Sequence, residues 1–248
     1  MNHSKIEDIL QNNSCNYIHL NSTISTMDDA KEYLEKFHSN VVILAEEQKN
    51  GKGRRGNIWI SPPGNIYCSI ALNNTIPINE YYLFSMLTAV SVKFTLENFG
   101  ANEIKFKWPN DFFFKNHKFG GMILETHNSK KNDKYVIIGI GINFASSPTI
   151  EDHKTTFIKK FVKMNTKLIF LYKFFNNFFF YWRNHNERKK EISSKFYNSL
   201  MFLNEKIEIN TGNNRSIQGI FKGIKYDGSL ILDKDNELVS IYSGNIKI

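Results

Sequence analysis

Apolar positions recur along the chain with two periods, three to four residues and two. Met27, Ala30, Leu34 and Phe37 fall at three- and four-residue steps with charges between them, which predicts an amphipathic helix started by Ser25 or Thr26. The unbroken apolar run Val41, Val42, Ile43, Leu44 and Ala45 suits a buried strand. Over 65–72, Ile66, Cys68, Ile70 and Leu72 alternate with Tyr67, Ser69 and Ala71, the period of a strand. Leu83, Met86, Leu87, Val90 and Phe94 mark a longer helix within 79–99, which Gly100 ends. Strand patterns follow at 104–108, 112–114, 119–125 and 135–144, and helical patterns fill 155–200. Residues 1–24 are polar and carry no assignable pattern.

From Lys206 the pattern changes to short β runs at 207–209, 217–224, 230–232 and 238–242. Turn signals at Gly212-Asn213, Asp227-Gly228 and Asp235-Asn236 separate them. This predicts two units, residues 1–200 and 201–248, the second a small barrel.

The 248 residues are 41% hydrophobic and 23% charged, which excludes a disordered chain. A net charge of +8 suits a partner bearing phosphate or carboxylate, but a richness in Asn, Lys, Ile and Phe makes the placement of charge more informative than its sum. Cys15 and Cys68 are far apart with no metal-binding spacing, as expected in a reducing cytoplasm. The polar start argues against a secretory signal, and Lys173, Asn176 and Asn177 interrupt the most membrane-like stretch, 168–182, so neither export nor a membrane span is expected.

Three segments carry candidate chemistry. Gly51-Lys52-Gly53-Arg54-Arg55-Gly56 sets three cations among three glycines, so backbone N–H groups and side chains can surround an anion. It is neither a Walker loop nor a dinucleotide fingerprint. In Lys107-Trp108-Pro109-Asn110-Asp111 the proline stops a strand and exposes Asn110 and Asp111 at its end. Lys118 heads a further strand with Gly120 and Gly121 behind it, and the glycines of Gly139-x-Gly141-x-Asn143 permit close approach to the backbone.

Ser25-Thr26, Gln48 with the glycine-arginine loop, Trp59-x-Ser61-Pro62, the Lys107–Asp111 turn, Lys118 with Gly120, Gly121 and Glu125, and the Gly139–Asn143 strand together resemble the biotin protein ligases. The likeness covers residues 25–144 and resumes at Gly223-Ile224 and Asp227-Gly228-Ser229-Leu230. It implies an α+β fold: a mixed, largely antiparallel sheet flanked by helices, similar to class II aminoacyl-tRNA synthetases, with a small C-terminal SH3-like β-barrel. The implied reaction joins biotin to ATP with Mg²⁺, giving biotinyl-5′-AMP and pyrophosphate, then passes biotin to a lysine of a biotin carboxyl carrier protein.

By the same resemblance Ser25, Thr26 and Met27 begin the biotin pocket, and Gln48, Lys52, Gly53 and Arg54 close over it. Lys118 bridges the biotin carboxylate and α-phosphate. Arg54, Arg55, Trp59, Asn110, Lys118 and Asn143 are expected on the nucleotide, with Trp59 and Asn143 beside adenine. Arg54, Lys118 and Asp111 are the expected catalytic groups, Asp111 assisting a metal ion or the incoming lysine. The loop 48–56 is expected to be mobile before biotin binds.

Two positions depart from the family pattern: Lys52 stands for an arginine and Met27 for an asparagine. The stretch before Ser25 is too short for the helix-turn-helix domain of some relatives, so ligase activity without DNA binding is expected, from a monomer or homodimer. One alternative is a lipoate-protein ligase or octanoyltransferase. Another is a nucleic-acid-binding module, which the acidic residues scattered among the lysines of 206–248 disfavour.

Overall fold

In the computed structural model, which describes residues 2–74, 76–150, 154–212 and 215–247, the polar stretch before Ser25 holds two elements. These are α1 (His3–Gln11), seated by Ile6 and Leu10, and β1 (Asn16–Leu20). Two inward residues on so short a helix leave too faint a periodicity to read. Next come α2 (Thr26–Phe37), burying Met27, Ala30 and Leu34, and β2 (Val41–Ala45), buried throughout. The glycine-arginine loop is a small hairpin of β3 (Gly51–Lys52) and β4 (Ile58–Trp59). After β5 (Ile66–Asn73), α3 (Tyr82–Glu97) is buried nearly all round. Its Thr88, Ser91 and Thr95 hydroxyls donate to the carbonyls four residues back at 2.7–2.8 Å, which lets polar side chains sit in an apolar core.

Strands β6 (Ile104–Lys107), β7 (Asp111–Phe114), β8 (His117–Asn128) and β9 (Lys134–Ile142) complete a seven-stranded sheet of order β1-β2-β5-β9-β8-β7-β6. Only β1 and β2 run parallel; the other neighbours are antiparallel. Helices α4 (Ile158–Phe161), α5 (Lys167–Arg183) and α6 (His185–Tyr197) follow. The 168–182 stretch is the body of α5, whose Phe170, Phe174, Phe175, Phe178 and Phe179 are buried. Among the described residues no helix is long and apolar enough to cross a membrane.

The chain ends in β10 (Lys206–Gly212), β11 (Arg215–Ile224), β12 (Leu230–Lys234), β13 (Glu237–Ile241) and β14 (Asn245–Ile246). They form a five-stranded antiparallel sheet of order β13-β12-β11-β10-β14. The turn expected at Gly212-Asn213 has its second residue outside the described ones. Both sheets feed one apolar core, Phe221, Leu230 and Leu232 joining Phe106, Trp108 and Phe112. Cys15 and Cys68 are buried free thiols, both pushed up from their usual range by burial.

Strand alternation divides the large sheet into two faces. Val42, Leu44, Cys68, Ile70, Val136 and Ile138 face the main core, whereas Val41, Ile43, Ala71, Tyr135 and Ile137 pack beneath Met27, Ala30 and Leu34 of α2. A single helix of 12 residues covers only part of that second face. Further along the same face the β3–β4 hairpin brings Trp59 over Gly141.

Candidate functional site

On β9 the odd-numbered residues point toward α2, and after Tyr135 and Ile137 the next two on this face are Gly139 and Gly141. The missing side chains leave a trough that other residues enter. A Cβ at Gly139 would lie 2.6 Å from Met27 Sδ, and one at Gly141 would lie 2.5 Å from Trp59 Cε2 and Nε1. Above this floor opens a cavity of about 760 Å³ between the first turn of α2, the β3–β4 hairpin, and β6 to β9.

Hydroxyls and a carboxamide form one end of the cavity. Ser25 occupies the N-cap of α2, yet its side chain bonds none of the helix's free N–H groups, and its Oγ is buried with no partner among the described residues. Gln48 Oε1 accepts from Thr26 N at 2.9 Å and from Thr26 Oγ1 at 3.1 Å, while Thr26 Oγ1 lies 2.8 Å from Ser69 Oγ. Gln48 Nε2 donates to Ser61 Oγ at 3.1 Å, and Ser61 Oγ donates to Trp59 O at 2.9 Å. These bonds engage Thr26, Gln48, Ser61 and Ser69 while the Ser25 hydroxyl stays without a partner among the described residues. A buried hydroxyl without a partner costs about 1–3 kcal/mol, so its retention marks a place where a ligand supplies the bond. Trp59 Nε1 is likewise buried and unpartnered among the described residues.

Cations dominate the other end. The β6–β7 hairpin pairs Lys107 with Asp111 across its strands, and Lys118 Nζ lies 2.7 Å from Asp111 Oδ1. Lys118 Nζ also sits 5.5 Å from the centre of the Trp59 ring, within cation–π reach. Among the described residues lining the cavity, Asp111 is the single carboxylate against Lys52, Arg54, Arg55, Lys107, Lys118 and Lys247. The side chains of Arg54 and Lys107 make no hydrogen bond or ion pair among the described residues, although Arg54 O accepts from Asn57 N at 3.1 Å. Burial, together with Arg55, pulls the Arg54 guanidinium below its ordinary value, opposed by Asp111 and Tyr82. Burial, together with Lys118, does the same to the Lys107 ammonium, opposed by Asp111. A site holding unpaired, desolvated cations is built to receive negative charge.

Twelve of the residues singled out from the sequence meet here: Ser25, Thr26, Met27, Gln48, Lys52, Gly53, Arg54, Arg55, Trp59, Asn110, Asp111 and Lys118 all line the cavity. Asn143 does not. It lies just past the end of β9, where its Nδ2 donates to Thr156 O at 3.2 Å and its N–H to Phe119 O at 2.7 Å, so it ties the loop after the sheet. Lys52, Arg55 and Asn110 also line the cavity with side chains already engaged. Lys52 is ion-paired with Asp28, Arg55 Nη2 donates to Ser243 Oγ at 2.5 Å, and Asn110 Nδ2 donates to Met122 O at 2.6 Å. The loop expected to be mobile is held at both Lys52 and Arg55, and Gly53 N bonds Asn57 O at 2.7 Å.

Sequence reasoning assigned no role to Lys107, although it belongs to a motif already quoted. It also missed Asn210, Asn245 and Lys247, which bring the C-terminal sheet to the cavity wall. No local pattern marks those three; they arrive through the docking of one sheet against the other. No cluster of three or more His, Cys, Asp or Glu side chains able to hold a metal exists among the described residues. Asp111 alone, already bound to Lys118, does not make a resident metal site.

A family model described as "Biotin/lipoate A/B protein ligase family" matches residues 18–143, and one described as "Biotin protein ligase C terminal domain" matches residues 202–247. The chain is 25% identical over 220 residues to the Bifunctional ligase/repressor BirA of Bacillus subtilis, covering 84% of this chain and 66% of that one. It is 31% identical over 131 residues to the Biotin--[acetyl-CoA-carboxylase] ligase of Paracoccus denitrificans, covering 51% and 53%. It thus spans about two thirds or less of these two curated relatives. Among solved structures, the biotin protein ligase from Aquifex aeolicus in complex with biotin and ATP superposes with a TM-score of 0.75 at 26% identity, covering 94% of this chain and 97% of that one.

Proposed function

Because the chain belongs to the biotin/lipoate A/B protein ligase family, we propose that it is an ATP-dependent biotin protein ligase. One observation carries the reading: a single cavity joins a neutral hydroxyl, Ser25 Oγ, to an end that holds the Arg54 and Lys107 side chains, all three without partners among the described residues. Biotin is a molecule of that polarity, with a neutral ureido head that needs hydrogen bonds and a carboxylate tail that needs cations. The C-terminal match to a biotin ligase domain favours biotin over lipoate or octanoate. Binding of nucleic acid by the small sheet is disfavoured, since Lys247 is ion-paired with Glu208 and Lys222 approaches Asp233 at 3.9 Å.

In this reading the ureido group bonds Ser25 Oγ beside the Thr26–Gln48 pair, and the rings lie against Met27 and Trp59, which occupy the trough of Gly139 and Gly141. Lys118 and Arg54 hold the carboxylate against the α-phosphate of ATP, screening the repulsion between two anions. A carboxylate oxygen bonds the α-phosphorus as the bond to the β-phosphate's bridging oxygen breaks, and pyrophosphate leaves. The ε-amine of a carrier lysine then attacks the acyl carbon, AMP leaves, and the amine loses a proton. Mg²⁺ enters on the nucleotide as part of the substrate, neutralising phosphate charge. Residues 1–200 act as the catalytic unit and 201–248 as a C-terminal unit, supported by the change from helix to strand after α6. The acceptor is a biotin carboxyl carrier domain and the setting cytoplasmic, which two buried free thiols suit.

Incubation with biotin, ATP and Mg²⁺, with lipoate and octanoate in parallel, tests this. Mass detection of biotinyl-AMP alone is the expected result, and an adenylate of only lipoate or octanoate overturns it.

A further inference from the structure

Tyr82 stands at the first turn of α3, outside the cavity, and touches both the small sheet and the strand end that carries Asp111. Its backbone N–H, one of the donors a helix start leaves free, bonds Tyr226 O at 3.1 Å. Its ring meets Phe196 edge-on at 5.9 Å and leaves no space at Gly228, where a Cβ would lie 2.8 Å from Tyr82 Cδ2. Its hydroxyl donates to Pro109 O at 2.9 Å.

The turn that grips Tyr82 is itself braced. Asp227 Oδ1 accepts from Ser229 N at 2.8 Å and Ser229 Oγ at 2.6 Å, and Gly228 has φ +87°, which a side chain would strain. The same turn accepts Trp108 Nε1 at Gly228 O, 2.9 Å away. Pro109 thus sits between two residues anchored to one turn of the C-terminal sheet. Immediately after it, Asn110 locks to Met122 through both its backbone oxygen and its amide, and Asp111 pairs with Lys118.

We propose that Tyr82 is a positioning residue: by bonding Pro109 O while held against the 225–229 turn, it sets the Asp111–Lys118 pair at the cavity, so the C-terminal sheet registers the cationic end of the site. The role rests on the ligase reading for its kinetic readout only. Removing the hydroxyl frees the strand end to shift, and Lys118 then meets the substrate carboxylate out of line.

Tyr82→Phe in the full chain keeps the ring and its packing. Relative to the wild type, kcat for biotin- and ATP-dependent pyrophosphate release is expected to fall about tenfold with the KM for biotin within about twofold, because small misplacements of reacting groups act on rate. In an Asp111→Asn background the same change should add almost nothing, since residues acting through one another are not additive. The ¹³C-methyl resonance of reductively methylated Lys118, assigned with Lys118→Arg, should move in Tyr82→Phe toward its Asp111→Asn position. Equal losses in both backgrounds, an unchanged kcat, or an unmoved Lys118 resonance overturns the proposal. A wild type inactive on biotin sinks the ligase reading instead, and the resonance still decides the role of Tyr82.

Discussion

Lys118 Nζ lies 2.7 Å from Asp111 Oδ1, on neighbouring antiparallel strands, with both side chains less than a fifth exposed. The carboxylate keeps one of the cavity's cations oriented in the absence of substrate, while Arg54 and Lys107 stay unpaired among the described residues. On the proposed reading Lys118 is then a cation placed in advance where negative charge builds up on the α-phosphate oxygens. Lys118→Ala is expected to slow adenylate formation by about 10²–10³-fold, the loss typical of one preorganised donor to a developing anion. Pyrophosphate release in single-turnover mixing measures it, and a wild-type rate would exclude Lys118 from the chemistry.

Ser25 predicts a separation of binding from stability. Its Oγ has no partner among the described residues, so Ser25→Ala should leave the thermal midpoint unchanged or slightly higher. Biotin affinity should fall by about 1 kcal/mol, some fivefold in Kd, the value of a neutral hydrogen bond. Calorimetric titration alongside a melting curve decides between this and a purely structural serine.

The Arg54 side chain faces the cavity without a partner among the described residues, so on the proposed reading its charge is available to hold the acyl-adenylate until an acceptor arrives. Arg54→Gly should release the intermediate and label lysines of an unrelated bystander protein. Mass spectrometry of that bystander gives the readout. Full retention of the adenylate would show that Arg54 does not clamp it.

Lys107 is held below the ordinary lysine value, chiefly by burial, with Asp111 opposing the shift and Lys118 adding to it. It therefore loses its proton at lower pH than a solvated lysine, and kcat/KM for ATP should decline on the alkaline side below the usual lysine range. The folded state binds this proton less tightly than the unfolded chain does. Stability contributed through Lys107 thus rises with pH from the depressed value up to the unfolded one. Lys107→Arg should move the alkaline limb upward, since a guanidinium keeps its charge there. An unmoved limb assigns it to another group.

Much of the large sheet was readable in advance because strand alternation and apolar period act over neighbouring residues. The faces of β5 and β9, the inward side of α2 and the end of α3 near Gly100 all follow from spacing. The first two elements were not readable: Ile6 and Leu10 are too few to raise a period above the surrounding polar residues, and β1 gains its place by pairing with β2. The site was readable where motifs carry it, from Ser25 to Lys118. Asn143 belongs to a motif as well, yet its amide is turned to Thr156, because the chain beyond β9 folds back across it.

The sequence alone settles which residues share a face, where backbone can approach backbone, and that cations gather in two short stretches, since each is a property of residues a few positions apart. Tertiary structure decides what stands opposite each face. It lays Met27 and Trp59 into the trough of Gly139 and Gly141, sets Lys118 on Asp111 and turns Arg55 toward Ser243. It also brings Asn210 and Asn245 to the same cavity. Those juxtapositions depend on how distant segments pack around a shared core, and side-chain period within one segment carries no record of its partner.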